Sequence, residues 1–448
     1  MQTVISNTGF DKTVLLLKEK YELLSKDGCF FAIFRTEYDS NSDVLHDFLE
    51  LIHVADVIGY DYVTTIVYPS SESQNVAFID NVKYVVWLAK QHSSMKFNKD
   101  AIREKHIWKD VEWGKRAKNY NPKGKDPGNV WIPTIDDGHA NITEHILLDD
   151  KGVIDRLIAM SDCGSDYELI SEPAPCVDNE RSLPNTDLQK EGAVCYLAQE
   201  AKVYFKSSED MLEILTDSVK TIVTSPPYWN LKDYFKAGQI GQESYETYLL
   251  RMKKVWSQCY TKLTSDGSLW VNVNIRVHDG KIIPIPYDFV KMCKEIGYSY
   301  KGILIWHKSS GIPTGEKNIV DRHEYVLVFS KSKDFCMNYK LLKQISDYKN
   351  DNINGKAFWN INRKAGSVGK KYIHPAIYPN DLVSRIVEIS SNKCELIVDP
   401  FLGSGTSLIA SVKSERNFVG YEFNEGFEGL MRSRFKAEIP DIKVEFLI

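Results

Sequence analysis

The fold of this 448-residue chain is decided by one stretch, Glu395-Leu396-Ile397-Val398-Asp399-Pro400-Phe401-Leu402-Gly403-Ser404-Gly405-Thr406. It reads as a buried strand, a Gly-X-Gly turn and a helix that runs to about Val412. Glycines let the backbone approach a ligand closely, and the helix N-terminus offers free N–H groups. A second strand at residues 417–421 ends on Glu422, where an acidic side chain usually holds a nucleoside ribose. The stretch therefore predicts a Rossmann-like nucleoside site.

A second motif comes earlier in the chain and reads Thr224-Ser225-Pro226-Pro227-Tyr228-Trp229-Asn230. It follows the apolar run 221–223, so it marks the end of a strand. Pro226 and Pro227 have no N–H and a fixed φ, so the carbonyls just before each ring are free and held still. This strand end can hold an exocyclic amino group with two acceptors while Tyr228 stacks on the ring that carries it. An isolated Ser-Pro-Pro is usually an ordinary turn, but the glycine motif that follows favours a functional site.

Composition limits the class of protein. With 43% hydrophobic residues, the chain can form two or three domains with sizeable cores. No apolar run is long enough to cross a bilayer and the N-terminus does not resemble a signal, so we expect a cytoplasmic protein without a membrane partner. Eight cysteines lack a Cys-X-X-Cys spacing, which predicts reduced thiols and no metal site. The net charge of −5 argues mildly against nucleic acid, but basic stretches at 109–126 and 331–371 could contact phosphates.

The first half of the chain looks like a degenerate copy of the second. Segments match in the same order, among them Ser25–Gly28 with Thr264–Gly267 and Lys83–Lys90 with Glu324–Lys331. The first copy has no glycine turn after Glu172-Pro173, and it begins too late to contain a Ser-Pro-Pro-Tyr element. Repeats of this size predict two similar domains. The expected organisation is a degenerate domain at 1–170 that keeps the fold and has lost the chemistry, a linker at 171–196 and a second domain at 197–448 that carries both motifs.

In the second half, strands alternate with helices. This pattern predicts an α/β fold with a largely parallel sheet that is covered on both faces. Residues 331–371 are polar, basic and weakly periodic, so we expect an insertion there rather than part of the sheet.

The two motifs together resemble the β-class amino-methyltransferases of DNA, in which the catalytic motif precedes the S-adenosylmethionine motif. Ile240-Gly241, Tyr245 and Tyr248 match as well, as do His374-Pro375-Ala376 and Pro379, and the resemblance covers about residues 200–435. It implies a Rossmann-like methyltransferase sheet, S-adenosylmethionine as cofactor, and methyl transfer to an exocyclic amine of a base extruded from duplex DNA. The residues implied in catalysis are Ser225, Pro226, Pro227 and Tyr228. The residues implied in cofactor binding are Asp399, Pro400, Phe401, Gly403, Ser404, Gly405, Thr406, Glu422 and His374.

The chemistry of an aromatic amine agrees with this resemblance. Such an amine is a poor nucleophile because its lone pair is delocalised into the ring. The Ser225 hydroxyl and the Pro226 carbonyl would draw the amino hydrogens out of plane, and attack then needs positioning more than acid–base power. Serine at position 225 resembles the cytosine-N4 branch of the family, and adenine-N6 methylation is the alternative. Trp229 is more often a core residue than a stacking surface.

Further interpretations concern the substrate, the partners and the oligomeric state, and the insertion at 331–371 is expected to recognise the target sequence. The same chemistry could act on RNA, or the chain could be an inactive nucleic-acid-binding protein with a methyltransferase fold. The expected partners are duplex DNA and a cognate restriction endonuclease. Because many enzymes of the class are dimers, the degenerate first domain would replace a second subunit, which predicts a monomer with an internal pseudo-dimer.

Overall fold

The structure, a computed structural model, describes residues 1–39, 43–70, 79, 81–107, 120–139, 141–172, 199–230, 236–308, 315–333, 336–353, 356–362, 367–368, 372–373 and 379–448. Among these residues, no helix has the length and the apolar character needed to span a bilayer.

The first half forms a five-stranded sheet with helices on it. Its strands are β1 (Thr3–Asn7), β2 (Cys29–Arg35), β3 (Asp61–Pro69), β4 (Val82–Ala89), β5 (Thr134–Asp136), β6 (Ile142–His145) and β7 (Tyr167–Ser171), and its helices are α1 (Phe10–Leu23), α2 (Asp47–Ile58) and α3 (Asp150–Ser161). The sheet order is β3-β4-β2-β1-β7, and β5 and β6 pair separately. Strand β1 is parallel to both of its neighbours, and β4 is antiparallel to both of its own.

The second half forms a nine-stranded sheet. The strands of the second half are β8 (Ala201–Tyr204), β9 (Val219–Thr224), β10 (Leu263–Val273), β11 (Arg276–His278), β12 (Lys281–Ile283), β13 (Ser299–His307), β14 (His323–Ser330), β15 (Phe358–Asn360), β16 (Ser367–Val368), β17 (Tyr372–Ile373), β18 (Leu396–Asp399), β19 (Asn417–Tyr421) and β20 (Val444–Leu447), of which β11 and β12 pair separately, as do β16 and β17. Its helices are α4 (Tyr245–Lys262), α5 (Ile285–Ile296), α6 (Tyr339–Gln344), α7 (Asn380–Ser390), α8 (Thr406–Lys413) and α9 (Glu428–Glu438). The order of the main sheet is β15-β13-β14-β10-β9-β18-β19-β8-β20, with β14 antiparallel to both neighbours.

Burial explains why the central strands show no alternation of apolar and polar residues. Every residue of β9 is buried, as is every residue of β4. A strand covered by helices on both faces has no solvent side, so its sequence does not alternate. The predicted α/β fold with a largely parallel Rossmann-like sheet is confirmed.

The five strands of the first sheet repeat, in order and direction, the run β13-β14-β10-β9-β18 of the second. Corresponding details agree as well. Gly59 and Gly297 both end a helix in the left-handed conformation, against the hydroxyls of Tyr21 and Tyr260 respectively. The duplication stays a prediction, and this shared topology supports it.

The first copy contains no Ser-Pro-Pro-Tyr element, as predicted, but the late start given as the reason is wrong. The first copy does not begin too late for a counterpart of the Ser-Pro-Pro-Tyr strand, because β1 takes the place of β9. The strand register puts Asn7 at the position of Ser225 and Phe10 at that of Tyr228. Helix α1 begins at Phe10, directly after the strand, so the long loop that follows β9 has no counterpart.

The expectation that residues 331–371 lie outside the sheet is also wrong. Strand β15 falls inside this range and pairs in parallel with β13, and its Phe358 and Trp359 are fully buried. Ala357 and Tyr348 are buried as well. A three-residue edge strand is too short to give a periodic signal, so the basic residues around it dominated the sequence pattern.

Candidate active site

The two motifs meet at one edge of the main sheet. Strands β9 and β18 are parallel neighbours in which Ile222 pairs with Val398, so Ser225 and Phe401 leave the sheet side by side. Neighbouring strands lie about 4.8 Å apart. From β18 the chain continues to β19 on one side, whereas from β9 it continues to β10 on the other. Ligands of open α/β sheets bind in the crevice at such a switch point, outside the carboxyl ends of the strands.

The Ser-Pro-Pro-Tyr segment is anchored at its second proline. The Tyr248 hydroxyl donates to the Pro227 carbonyl at 3.0 Å. In the described part of the chain, no hydrogen bond engages the Ser225 hydroxyl or the Pro226 carbonyl. The Ser225 hydroxyl and the Pro226 carbonyl are therefore two acceptors on a backbone that the proline rings restrict and that Tyr248 anchors at Pro227.

Trp229 holds the loop that follows the Ser-Pro-Pro-Tyr segment. Its indole N–H donates to the Glu243 carbonyl at 2.7 Å, and its own carbonyl accepts from Arg276 Nη1 at 2.6 Å. Asn230, in the left-handed region with φ 48°, donates its N–H to the Gly241 carbonyl at 2.8 Å. These contacts close the loop after Tyr228 and agree with the structural interpretation of Trp229.

The glycine turn is organised by Asp399, which is fully buried at the end of β18. Its carboxylate accepts from the Phe401 N–H at 2.9 Å and from the Ser407 hydroxyl at 2.5 Å. Gly405 has φ 85°, and a Cβ there would lie 2.5 Å from the Phe435 ring. Only glycine satisfies both the backbone conformation and the space at this position. Pro400, which follows Asp399, is buried as well.

Arg434 on α9 donates hydrogen bonds to the same turn. The sequence analysis did not predict this residue. Its Nη1 donates to the Ser404 carbonyl at 3.0 Å, to the Ser404 hydroxyl at 2.8 Å and to the Thr406 hydroxyl at 3.0 Å. Only 4% of the Arg434 surface is exposed. The Ser404 and Thr406 side chains therefore fix the turn, and the backbone of the turn is what remains to face a ligand.

Glu422 stands at the end of β19, across from the glycine turn. Its carboxylate accepts from the Gly403 N–H at 2.8 Å and from the Asn424 N–H at 2.7 Å. Burial raises the pKa of this carboxyl to about 7, and nearby Asp399 adds to the effect. The group is oriented by the backbone and has lone pairs left for ligand hydroxyls.

Two buried polar groups near Glu422 lack hydrogen-bond partners within the described residues. They are the Ser208 hydroxyl and both ends of the Gln239 side-chain amide. Arg251 connects the residues next to them in the chain, since it pairs with Glu209 at 2.6 Å and donates to the Gly238 carbonyl at 3.0 Å. A Cβ on Gly238 would lie 3.9 Å from Phe423, the residue that follows Glu422. Unpartnered buried polar atoms are costly, so a polar ligand at this place would satisfy them.

A third group of polar residues lies beneath Tyr228. The Tyr228 hydroxyl donates to Glu324 Oε2 at 3.2 Å, and Lys308 Nζ donates to Glu324 Oε1 at 3.2 Å. Asn272 Nδ2 donates to Glu324 Oε2 at 2.7 Å. Asn272, Glu324 and Lys308 come from β10, β14 and the end of β13, so no local sequence motif predicts this group.

Some predicted residues are not placed. His374 lies outside the described residues, whereas Pro379 caps the start of α7. In the basic stretches, Lys123 and Lys331 form ion pairs with Asp100 and Asp217, and Lys356 is buried. Among the described residues of the second stretch, the exposed lysines are Lys333, Lys340, Lys343 and Lys349, whereas Arg363, Lys364, Lys370 and Lys371 lie outside the described residues. Which of them contact DNA stays a prediction. Within the described residues, no group of three His, Cys, Asp or Glu side chains could hold a metal ion.

The crevice, the glycine turn and the acidic end of β19 define a Rossmann-like enzyme that binds a nucleoside cofactor beside a proline-fixed acceptor site. The family model N6_N4_Mtase, DNA methylase, matches residues 10–168 and 219–431. The chain therefore belongs to this family of DNA amino-methyltransferases, whose cofactor is S-adenosylmethionine.

Individual relatives each match about half of the chain. It is 29% identical to the type II methyltransferase M.Cfr9I of Citrobacter freundii, over 52% of this chain and 88% of the relative. It is 28% identical to M.SmaI of Serratia marcescens, over 48% and 82%. Among solved structures, TTHA0409 of Thermus thermophilus in complex with S-adenosyl-L-methionine is 24% identical, with a TM-score of 0.42 over 55% of this chain and 100% of that one. The cytosine-N4-specific PvuII DNA methyltransferase is 19% identical, with a TM-score of 0.44 over 53% and 87%.

Proposed function

We propose that this protein is a site-specific methyltransferase for the N4 amine of cytosine in duplex DNA. The observation that carries the proposal is the adjacency of β9 and β18, which opens the Ser225 and Pro226 acceptors onto the same crevice as Gly403 and Glu422. Serine at position 225 favours cytosine. The type II methyltransferases among the relatives support a role as the protective half of a restriction–modification system, with a cognate endonuclease as partner.

The residues of the crevice fit S-adenosylmethionine. The Glu422 carboxylate can accept from ribose hydroxyls, and the Gly403 N–H that it accepts from joins it to the glycine turn at the start of α8. The unpartnered Gln239 amide and Ser208 hydroxyl match an adenine edge, which offers a donor beside an acceptor. When bound, the cofactor supplies an electrophilic methyl group. The Ser225 hydroxyl and the Pro226 carbonyl accept hydrogen bonds from the target amine, and Tyr228 stacks on the extruded base.

The products of DNA methylation test this proposal. DNA from cells that express the protein should yield N4-methylcytosine when it is digested to nucleosides and examined by mass spectrometry. N6-methyladenine instead would assign the adenine branch. If purified protein methylated RNA but not duplex DNA, or bound no S-adenosylmethionine, the proposal would fail.

The affinity for the cofactor is expected to depend on pH through Glu422. The free carboxyl has a pKa of about 7, and its ionised form accepts from ribose hydroxyls, so binding lowers that pKa. Affinity should therefore rise with pH and level off above pH 7, with a Kd about tenfold higher at pH 6 than at pH 8. Calorimetric titrations across this range give the measurement. Glu422→Gln should bind more weakly and without this dependence, whereas a flat profile for the unaltered protein would remove Glu422 from the ribose site.

The contacts between the two halves support an internal pseudo-dimer. The Val44 N–H donates to the Tyr300 carbonyl at 3.0 Å, and the Asn129 N–H donates to the Val320 carbonyl at 3.0 Å. Phe48 stacks on Tyr84 of its own half and also meets Tyr325 of the other. We expect light scattering to give the mass of one chain, and a dimer mass would contradict this arrangement.

A further inference from the structure

The polar residues that contact the Tyr228 hydroxyl suggest a role that rests on the proposed function and goes beyond it. Lys308, Glu324 and Asn272 form a connected array, in which Glu324 accepts from the other two and from the Tyr228 hydroxyl. Only 2% of the Lys308 side chain and 12% of the Glu324 side chain are exposed. The array is therefore a nearly buried ion pair directly below the ring that faces the base.

Stability does not explain such an array. The cost of removing two charges from water can exceed what their attraction returns, so a buried ion pair is weak support for the folded state. Apolar residues of similar size would pack the same position at no electrostatic cost.

The first half of the chain shows what the fold requires at these positions. Matching the two sheets by strand register puts Phe10 at the position of Tyr228 and Ile33 at that of Asn272, and it puts Ser70 at Lys308 and Lys83 at Glu324. No member of the array is kept, and the sign of the charge at Glu324 is reversed.

The residues packed next to the array, unlike the array itself, are the same in both halves. Tyr84 and Tyr325 are both buried at matching positions, one residue after Lys83 and Glu324 respectively. Lys83 pairs instead with Asp150, at 2.8 Å. The fold thus forms without the array, and only the half with the Ser-Pro-Pro-Tyr motif has it.

We propose that Glu324, Lys308 and Asn272 are positioning residues that act through the Tyr228 hydroxyl. The array fixes the plane of the Tyr228 ring, so that an extruded base stacks in one orientation with its amine at Ser225 and Pro226. Lys308 neutralises Glu324 and keeps the acceptor in place below the hydroxyl. Preorganisation of this kind affects turnover more than cofactor binding.

The test uses variants that remove both charges together, because a single substitution would leave one buried charge without its partner. Lys308→Met/Glu324→Leu should lower kcat for DNA methylation by about 10²-fold, with the Kd for S-adenosylmethionine unchanged. The target sequence is first determined from modified DNA, and 2-aminopurine is then placed at the target position. Its fluorescence should show that the double variant still extrudes the base, but Tyr228 should quench that fluorescence to a different extent. Lys83→Met, which breaks the ion pair at the matching position of the first half, is the control and should methylate like the unaltered protein.

The dependence on Tyr228 is tested by a double-mutant cycle. In a Tyr228→Phe background, Lys308→Met/Glu324→Leu should lower kcat by less than about twofold further, because the array acts through the missing hydroxyl. A full loss in that background would overturn the inference, and so would normal turnover of Lys308→Met/Glu324→Leu alone. Failure of the proposed function is distinguishable, because the unaltered protein would then leave DNA without methylated cytosine. Circular dichroism of each variant reports whether it folds. If the Lys308→Met/Glu324→Leu variant misfolds, Lys308→Arg/Glu324→Asp replaces it. That variant keeps the ion pair and should retain turnover.

Discussion

Replacing Ser225 by alanine is expected to lower kcat for DNA methylation by about 10²-fold while the Kd for S-adenosylmethionine changes by less than about twofold. The hydroxyl is one of two acceptors at the end of β9, and no hydrogen bond within the described residues engages it. Without it, the target amine keeps its lone pair in the ring and loses its orientation. Single-turnover kinetics with labelled cofactor separate this chemical step from binding.

The residue before Ser225 provides a matched control. Thr224 is buried and its hydroxyl has no hydrogen-bond partner among the described residues, so Thr224→Val removes a neighbouring hydroxyl at little structural cost. This variant should methylate at nearly the normal rate. Normal turnover by Ser225→Ala, together with loss of turnover in Thr224→Val, would show that the wrong hydroxyl has been assigned to the amine.

Gly405→Ala is expected to have the second large effect, on cofactor binding and on stability. A residue with a Cβ at φ 85° costs about 1 to 3 kcal/mol, and the added carbon would also lie 2.5 Å from the packed Phe435 ring. The melting temperature should fall by roughly 5–10 °C, because the two costs add. The turn that faces the cofactor must shift, so the Kd for S-adenosylmethionine should rise by about 10²-fold, a loss comparable to that from a misplaced positioning group. Thermal unfolding and calorimetry measure the two effects.

Gly164→Ala separates backbone strain from the steric clash. Gly164 has φ 59°, and a Cβ there would meet nothing within 4 Å. This variant should lose a part of the stability that Gly405→Ala loses and keep its cofactor affinity. If Gly405→Ala bound the cofactor normally, the glycine turn would not be part of the cofactor site.

Sequence alone predicted the parts of the candidate site that are continuous in the chain. The Ser-Pro-Pro-Tyr segment and the glycine turn each combine a strand end with residues of restricted or unusual backbone conformation, and such signals are local. Their order also indicated the family correctly. Phe358 and Trp359 show where local signals fail, because a short edge strand in a basic region gives no periodicity.

The residues that sequence reasoning missed are joined to the motifs only by the fold. Arg434 reaches the glycine turn from α9, and Glu324 reaches Tyr228 from β14. Neither residue belongs to a pattern with the group that it contacts. Strand β1 was missed for a different reason. Asn7-Thr8-Gly9-Phe10 shares no chemistry with Ser-Pro-Pro-Tyr, and only the register of the sheet places it at the same position.

The central claim is that one crevice holds both the methyl donor and the target amine. A crystal structure of the protein with S-adenosylmethionine tests it most directly. We predict that the ribose lies on Glu422 and the adenine beside Phe423 and Gln239, with the methyl group open toward Ser225 and Pro226. A cofactor bound elsewhere, or one separated from Ser225 by protein, would contradict the account.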